Sequence, residues 1–265
     1  MSDRTAQRLV DGPLVRVFSV VCRAARNERS PLEWTERAEI VVPLRGCFMY
    51  GLGSDTCVAD PRSAFVIGAE QEYRVSHPVD GGDECALLLV EPELLEEAFG
   101  DARTRHGRLS PQTLFAATAL ARTTPTALDG DERGLGLLGA IAGDLRSRRD
   151  DRIGAVPRRR VRKVQALLAQ APERDWTLAE IARRAGCSPY HLTRIFRTET
   201  GESIHRYLIA LRLSIALQRL CAGEKDLARL AVDLGFAHHS HFSARFRAMF
   251  GVTPTEARAA QGRAA

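Results

Sequence analysis

Residues 178–204 read LAEIARRAGCSPYHLTRIFRTETGESI, and residues 227–254 read LARLAVDLGFAHHSHFSARFRAMFGVTP. The two stretches write one local pattern twice. Leu178, Ala179, Ala182 and Gly186 align with Leu227, Ala228, Ala231 and Gly235 at an offset of 49 residues. After one extra residue in the second turn, His191, Phe196, Arg197 and Gly201 align with His241, Phe246, Arg247 and Gly251. Each copy reads as a short helix, a turn containing glycine, and a second helix carrying polar side chains, the layout that lays a helix in a DNA major groove.

The local signals agree within each copy. Thr177 caps a helix that begins at Leu178, with Glu180 completing a capping box. Gly186 ends that helix, and Ser188-Pro189 opens the next. In the second helix Leu192, Ile195 and Phe196 are spaced for a core, which leaves Tyr190, Thr193, Arg194 and Arg197 on the outward side. Arg194 is the leading candidate for reading a base, because its planar fork matches the O6 and N7 acceptors of guanine. Tyr190 and Thr193 suit a thymine methyl or a neighbouring base edge. In the second copy Phe242, Phe246 and Phe250 recur every four residues and belong to a core, so His239, Ser240 and Ser243 are left for the groove and Arg247 for phosphate. For each residue singly, phosphate contact or plain solvation stands beside base readout; together they mark a DNA-facing surface. His238, His239 and His241 cluster, but adjacent histidines on a turn do not converge on one ion without further ligands. Residues 205–220 read as one long linker helix that fixes the separation of the two units, since reading successive major grooves needs a spacing of about 34 Å.

Charge divides the chain. Residues 152–265 carry 20 Lys and Arg against 9 Asp and Glu, whereas residues 1–151 carry 18 against 24. Only the C-terminal part is therefore expected to face phosphates. The longest apolar run, Cys85 to Val90, is too short to span a bilayer, and MSDRTAQRLVDG lacks the apolar core of a signal peptide, so no membrane partner and a cytoplasmic location are expected. Cys22, Cys47, Cys57, Cys85, Cys187 and Cys221 form no C-x-x-C pair and no zinc-ribbon spacing, so they read as buried thiols, with redox or metal sensing as the alternative.

Residues 14–91 read as β-structure. LVRVFSVV, EIVVPL, GCFMYGL, SAFVIG, YRVSH and CALLLVE are short strand candidates, separated by turn signals at 53–54, 60–61, 77–78 and 81–83. A small antiparallel barrel or sandwich follows. Helices are expected at PELLEEAF, from Ser110-Pro111 through Arg122, and from Leu135 to Arg149; the last two are placed to form a dimer surface or to close the barrel's open end. From Asp150 the stretch DRIGAVP reads as a linker into the basic run Arg158, Arg159, Arg160, Arg162 and Lys163. His77 is the only histidine before Asp101, so a cupin-type iron or manganese cluster is not expected, and neither metal nor cofactor is assigned.

The segment from about Arg158 to Arg258 resembles the DNA-binding domain of AraC/XylS-type transcriptional regulators. The resemblance is carried by the first copy, by RLSIALQRL, and by the closing LARLAVDLGFAHHSHFSARFRAMFGVTPTEAR. It implies an α+β chain: an N-terminal cupin-like β-barrel with following helices over residues 1–150, for effector binding or dimerisation, and an all-α domain over 157–260. The latter holds helix-turn-helix units at about 178–199 and 227–250. The implied function is non-enzymatic, sequence-specific transcriptional regulation under a small-molecule effector whose contacts the sequence does not name. Double-stranded DNA is the partner, with RNA polymerase if the chain is an activator, and a homodimer is allowed. One departure stands out: where the family often has arginine directly after SHFS, this chain has Ala244, with Arg245 one position on. One residue turns a helical side chain by about 100°, so the second unit is expected to lean on backbone contacts. The rival reading is a DNA alkyl-repair methyl acceptor, which needs an activated thiolate that no cysteine neighbourhood here suggests.

Overall fold

The computed structural model describes residues 3–25, 29–52, 55–78, 81–100, 105–123, 127–146 and 155–262. The expected turn at 53–54, residues 151–154 of the expected linker and residues 147–149 of the expected third helix lie outside them; residues 155–157 of the linker open a helix instead.

The N-terminal part builds two antiparallel sheets. Its strands are β1 (Asp3–Asp11), β2 (Val15–Arg23), β3 (Glu39–Gly46), β4 (Phe48–Leu52), β5 (Asp55–Ala59), β6 (Ser63–Ile67), β7 (Arg74–Ser76) and β8 (Asp83–Val90). Then follow α1 (Pro92–Phe99), β9 (Arg105–Arg108), α2 (Pro111–Leu120) and α3 (Ala127–Arg146). Six strands run in the order β1-β2-β8-β3-β6-β9 and three in the order β5-β4-β7. Both sheets are open, which corrects the expected cupin-like barrel. Closure requires every edge strand to find a partner, yet β1 pairs only with β2 and β9 only with β6. The sheets are joined instead by a buried aromatic cluster, with Phe48 and Tyr50 of the small sheet packed on Phe65 of the large one. The outer strand β1 meets water with Arg4, Thr5, Gln7 and Arg8 exposed, a polar edge that discourages further pairing.

Helices complete this half. Ser110 caps α2 by accepting from the Thr113 N–H at 3.2 Å. α3 starts at Ala127, eight residues before the expected Leu135. In this early stretch Gly134 lies so close to β2 that a Cβ there would stand 2.7 Å from Val15. Nearby, the buried Asp131 carboxylate accepts from the Leu14 and Val15 N–H groups at 3.2 and 2.9 Å, binding the helix to the β1–β2 turn. α3 packs on β1, β2 and β9, and α2 on α3.

The C-terminal part is helical: α4 (Ala155–Gln170), α5 (Leu178–Ala185), α6 (Pro189–Thr200), α7 (Ile204–Cys221), α8 (Leu227–Asp233), α9 (His239–Phe250) and α10 (Pro254–Gly262). Two apolar cores divide it. Val161, Val164, Ile181, Leu192, Phe196 and Leu211 bury one between α4, α5, α6 and the start of α7. Leu217, Leu220, Leu230, Phe242, Phe246 and Phe250 bury the other, which is continuous with the core of the large sheet because α2 packs on α7 and α9.

Arg212, on α7, ties these parts together. It is 7% exposed, and its guanidinium donates to the carbonyls of Pro172 (2.6 Å), Gly235 (2.8 Å) and Arg174 (3.0 Å). Burial lowers its pKa, against the raising influence of Asp175 and Glu173. Gly235 has φ +75°, and a Cβ there would stand 2.3 Å from the Glu173 carbonyl oxygen. Only glycine tolerates both the left-handed turn and this approach. Arg212→Met is expected to lower stability by about 2–4 kcal/mol, because it strands buried carbonyls without a donor. Urea denaturation checks this; a midpoint within error of wild type would refute the tie.

Candidate nucleic-acid interface and the cavity behind it

The first pair of helices is set by local chemistry. Thr177 accepts from the Glu180 N–H at 3.2 Å, and Ser188 from the His191 N–H at 3.2 Å. The reciprocal half of the expected capping box is lost to ion pairing: the Glu180 carboxylate takes Arg174 at 2.7 Å and Arg184 at 3.1 Å. With Leu192, Ile195 and Phe196 buried, α6 turns Tyr190 (78% exposed), Thr193, Arg194 and Arg197 to solvent. These four stand at i, i+3, i+4 and i+7, one face of the helix. The Thr193 hydroxyl is already bonded within the helix, to the Tyr190 carbonyl at 2.9 Å. Part of the neighbouring basic run is spent, since Arg158 faces Glu199 at 3.6 Å and Arg160 approaches His191 at 3.5 Å. Arg194 and Arg197 enter no ion pair among the described residues, so this face keeps a positive charge.

The second pair is plainer. On α9, His239, Ser240 and Arg247 are exposed and Ser243 is partly buried, its hydroxyl 3.4 Å from His239. Arg245 donates to His241 at 3.2 Å, and His241 packs edge-on against Phe236. Neighbouring histidines therefore have separate partners, and the arginine displaced by Ala244 is tied to one of them. α9 thus offers His239, Ser240 and Arg247 to solvent, with Arg245 engaged by His241.

A polar cluster joins α6 and α7 to the sheets. Tyr207, fully buried at the start of α7, donates its hydroxyl to Asp60. Arg62 donates to the Tyr207 carbonyl at 3.2 Å and pairs with Glu202 at 2.8 Å, and Arg108 also pairs with Glu202. Both guanidiniums lie near the Tyr207 ring, at 5.0 and 4.7 Å from its centroid, within cation–π range. Burial, then the Asp60 charge, holds the Tyr207 hydroxyl well above its ordinary pKa. Glu202 is two residues past the end of α6, so the cluster bears on the helix with the arginine face.

Between the two sheets lies a cavity of about 80 Å³ that the sequence did not announce. Phe65, Ile67 and Leu87 give it apolar walls, and Arg4, Glu33 and Glu39 give it charge. Tyr50 stacks on Tyr73 with centroids 5.1 Å apart. The Tyr50 hydroxyl is buried there with no hydrogen-bond partner among the described residues. Burial pushes Tyr73 up to about 12 and raises the Glu39 carboxyl, which accepts from Thr35 at 2.7 Å. The period-two spacing of Phe48 and Tyr50 was the one available hint, since both face one side of their strand. Burial and the charges of Asp60 and Asp83 raise the Cys47 thiol, and burial pushes Cys221 up to about 11, the opposite of the activated thiolate a methyl acceptor needs.

Residues 181–260 match the helix-turn-helix domain family. The regulatory protein SoxS of Escherichia coli strain K12 is 35% identical over 78 residues, 29% of this chain and 73% of SoxS. The transcriptional regulator ArgR of Pseudomonas aeruginosa is 36% identical over 86 residues, 32% of this chain, and the match spans only 26% of ArgR. A solved regulator structure from Chromobacterium violaceum, described as AraC-type in its DNA-binding domain, aligns at 28% identity over 42% of this chain and 100% of its own, with a TM-score of 0.39.

Tyr207→Phe removes the hydroxyl that serves Asp60 and is expected to cost about 1–3 kcal/mol, as for a buried hydrogen bond to a charged group. Thermal unfolding measures it; an unshifted midpoint would mean that the bond does not form in solution.

Proposed function

The chain belongs to the AraC/XylS family of helix-turn-helix transcriptional regulators, and from that membership we propose that it binds specific double-stranded DNA through α6 and α9. The exposed polar face of α6, with two arginines outside any ion pair among the described residues, is the observation that carries this reading. In it, residues 157–260 form the DNA-binding part and residues 1–150 the sensing part. Arg194 reads a base, with Tyr190 and Thr193 beside it and Arg197 on phosphate. His239, Ser240 and Ser243 line a second groove, and Arg247 takes phosphate. Because Arg245 is engaged by His241, the second unit adds backbone grip more than sequence choice. A homodimer and contact with RNA polymerase belong to the same reading. No helix among the described residues is long and apolar enough to cross a membrane.

The effector site in this proposal is the inter-sheet cavity. Its occupant is a small amphipathic molecule that flattens against the aromatic walls and satisfies the Tyr50 hydroxyl. The route to DNA is short. Phe65 lines the cavity on β6, and Asp60 and Arg62, just before β6, hold Tyr207 and Glu202 beside the end of α6. A ligand that shifts β6 changes how α6 is seated.

Binding to DNA from the region upstream of its own coding sequence tests the proposal. Arg194→Ala is expected to weaken specific binding by roughly 10–100-fold, the loss of one bidentate base contact, with non-specific binding changed far less. Equal losses would make Arg194 a phosphate contact. The logarithm of affinity should fall steeply with the logarithm of salt concentration; a salt-insensitive complex would overturn the electrostatic part of the reading.

A further inference from the structure

We propose that Cys22, His77, Asp83 and Cys85 form a binding site for a thiophilic divalent cation of the zinc class in the wall of the inter-sheet cavity. Three separate pieces of chain supply the donors: Cys22, His77 and Asp83 form one cluster, and Cys85 stands against Asp83. Cys22 of β2 is the direct ladder partner of Asp83 of β8. Cys85 follows Asp83 by two residues and so shares its face of the strand. His77 enters just past β7, from the other sheet. A Cys22 sulfur, a His77 ring nitrogen and an Asp83 oxygen all lie within 4.8 Å of one another. His77 Nε2 stands 2.6 Å from one Asp83 oxygen, and the Cys85 sulfur 3.2 Å from the other.

These separations suit a tetrahedral ion. With metal–sulfur bonds near 2.3 Å and metal–nitrogen or –oxygen bonds near 2.0 Å, ligand atoms sit about 3.3–3.8 Å apart. His77 and Asp83, now 2.6 Å apart, would separate slightly to admit the ion, and Cys85 would turn toward it from beside Asp83. Two sulfurs, one imidazole and one carboxylate favour zinc-like ions over magnesium or calcium, which prefer oxygen donors alone. His77, Asp83 and Cys85 are 4–6% exposed, while Cys22 is partly buried and gives access from solvent. The Phe48 ring, with its centroid 6.4 Å from that of His77, packs beside the imidazole. On binding, the two thiols release their protons to water and the imidazole binds as its neutral form. Histidine counting set a metal aside because the other ligands of a cupin cluster were missing; thiolates fill those places. The bound ion would bridge the two sheets at the cavity wall.

The test uses the full chain, reduced and stripped with a chelator. One equivalent of zinc should survive gel filtration. Cobalt(II) in its place should give a thiolate-to-metal charge-transfer band with the intense visible bands of a tetrahedral site. In the native wild type, zinc should protect two thiols from a disulfide reagent. The Cys22→Ser/Cys85→Ser double variant should lose the charge-transfer band, and His77→Gln should weaken binding by at least about tenfold, while Cys187→Ser keeps both signals. No retained metal, a cobalt spectrum without the thiolate band, unprotected thiols in the wild type, or a Cys22–Cys85 disulfide in place of metal uptake would each overturn the site. A loss of operator binding would leave this result standing, because metal uptake is read without DNA.

Discussion

One buried guanidinium organises the C-terminal half. Arg212 sits in the middle of α7 and gives its hydrogen bonds to main-chain carbonyls on both sides, Pro172 and Arg174 before the first helix pair and Gly235 in the turn of the second. Main-chain acceptors cannot swing away as side chains do, so these bonds set positions rather than merely attract. The turn at Gly235 comes so near the Glu173 carbonyl that the two units touch through backbone. A helix of 18 residues, about 27 Å long, joins them, and Arg212 stops each unit from turning about it. The separation of α6 and α9 rests on that constraint.

The same helix joins the helical part to the sheets in two chemically different ways. Toward its C-terminus Leu217 and Leu220 enter an apolar core shared with α2 and the large sheet. Toward its N-terminus Tyr207 enters a polar cluster with Asp60, Arg62, Arg108 and Glu202. Apolar packing is non-directional and tolerates small shifts, whereas a buried network of charges is sensitive to geometry. The second helix pair is therefore seated on the N-terminal half by apolar packing, and the first is held to it by directional polar contacts.

How much of this was legible in the sequence depends on whether the signal was local. Thr177, Ser188, Gly186 and Gly201 mark helix ends because capping and left-handed turns are decided within four residues. The strands recognised from sequence are almost all interior or two-sided, such as SAFVI, whose five residues are all buried. The ones missed, DRTAQRLVD, DTCVA and RHGR, are all edges of their sheets. An edge strand has one neighbour and more contact with water, so its apolar alternation fades. α3 begins before the apolar spacing that marks it in the sequence, and Gly134 in that early stretch lies against Val15 of β2, a partner more than a hundred residues away.

The sequence by itself determined the two helix pairs: one glycine-turned pattern written twice, a long helix between them, and the residues left over once each core face is filled. Helical hydrogen bonds and caps connect residues close in the chain, so a linear pattern contains them. Only the tertiary structure decided that the sheets stay open, that a cavity lies between them, and that Cys22, His77, Asp83 and Cys85 share one of its walls. Those outcomes depend on which strands become neighbours, and strand pairing joins residues whose separation along the chain leaves no trace in local pattern.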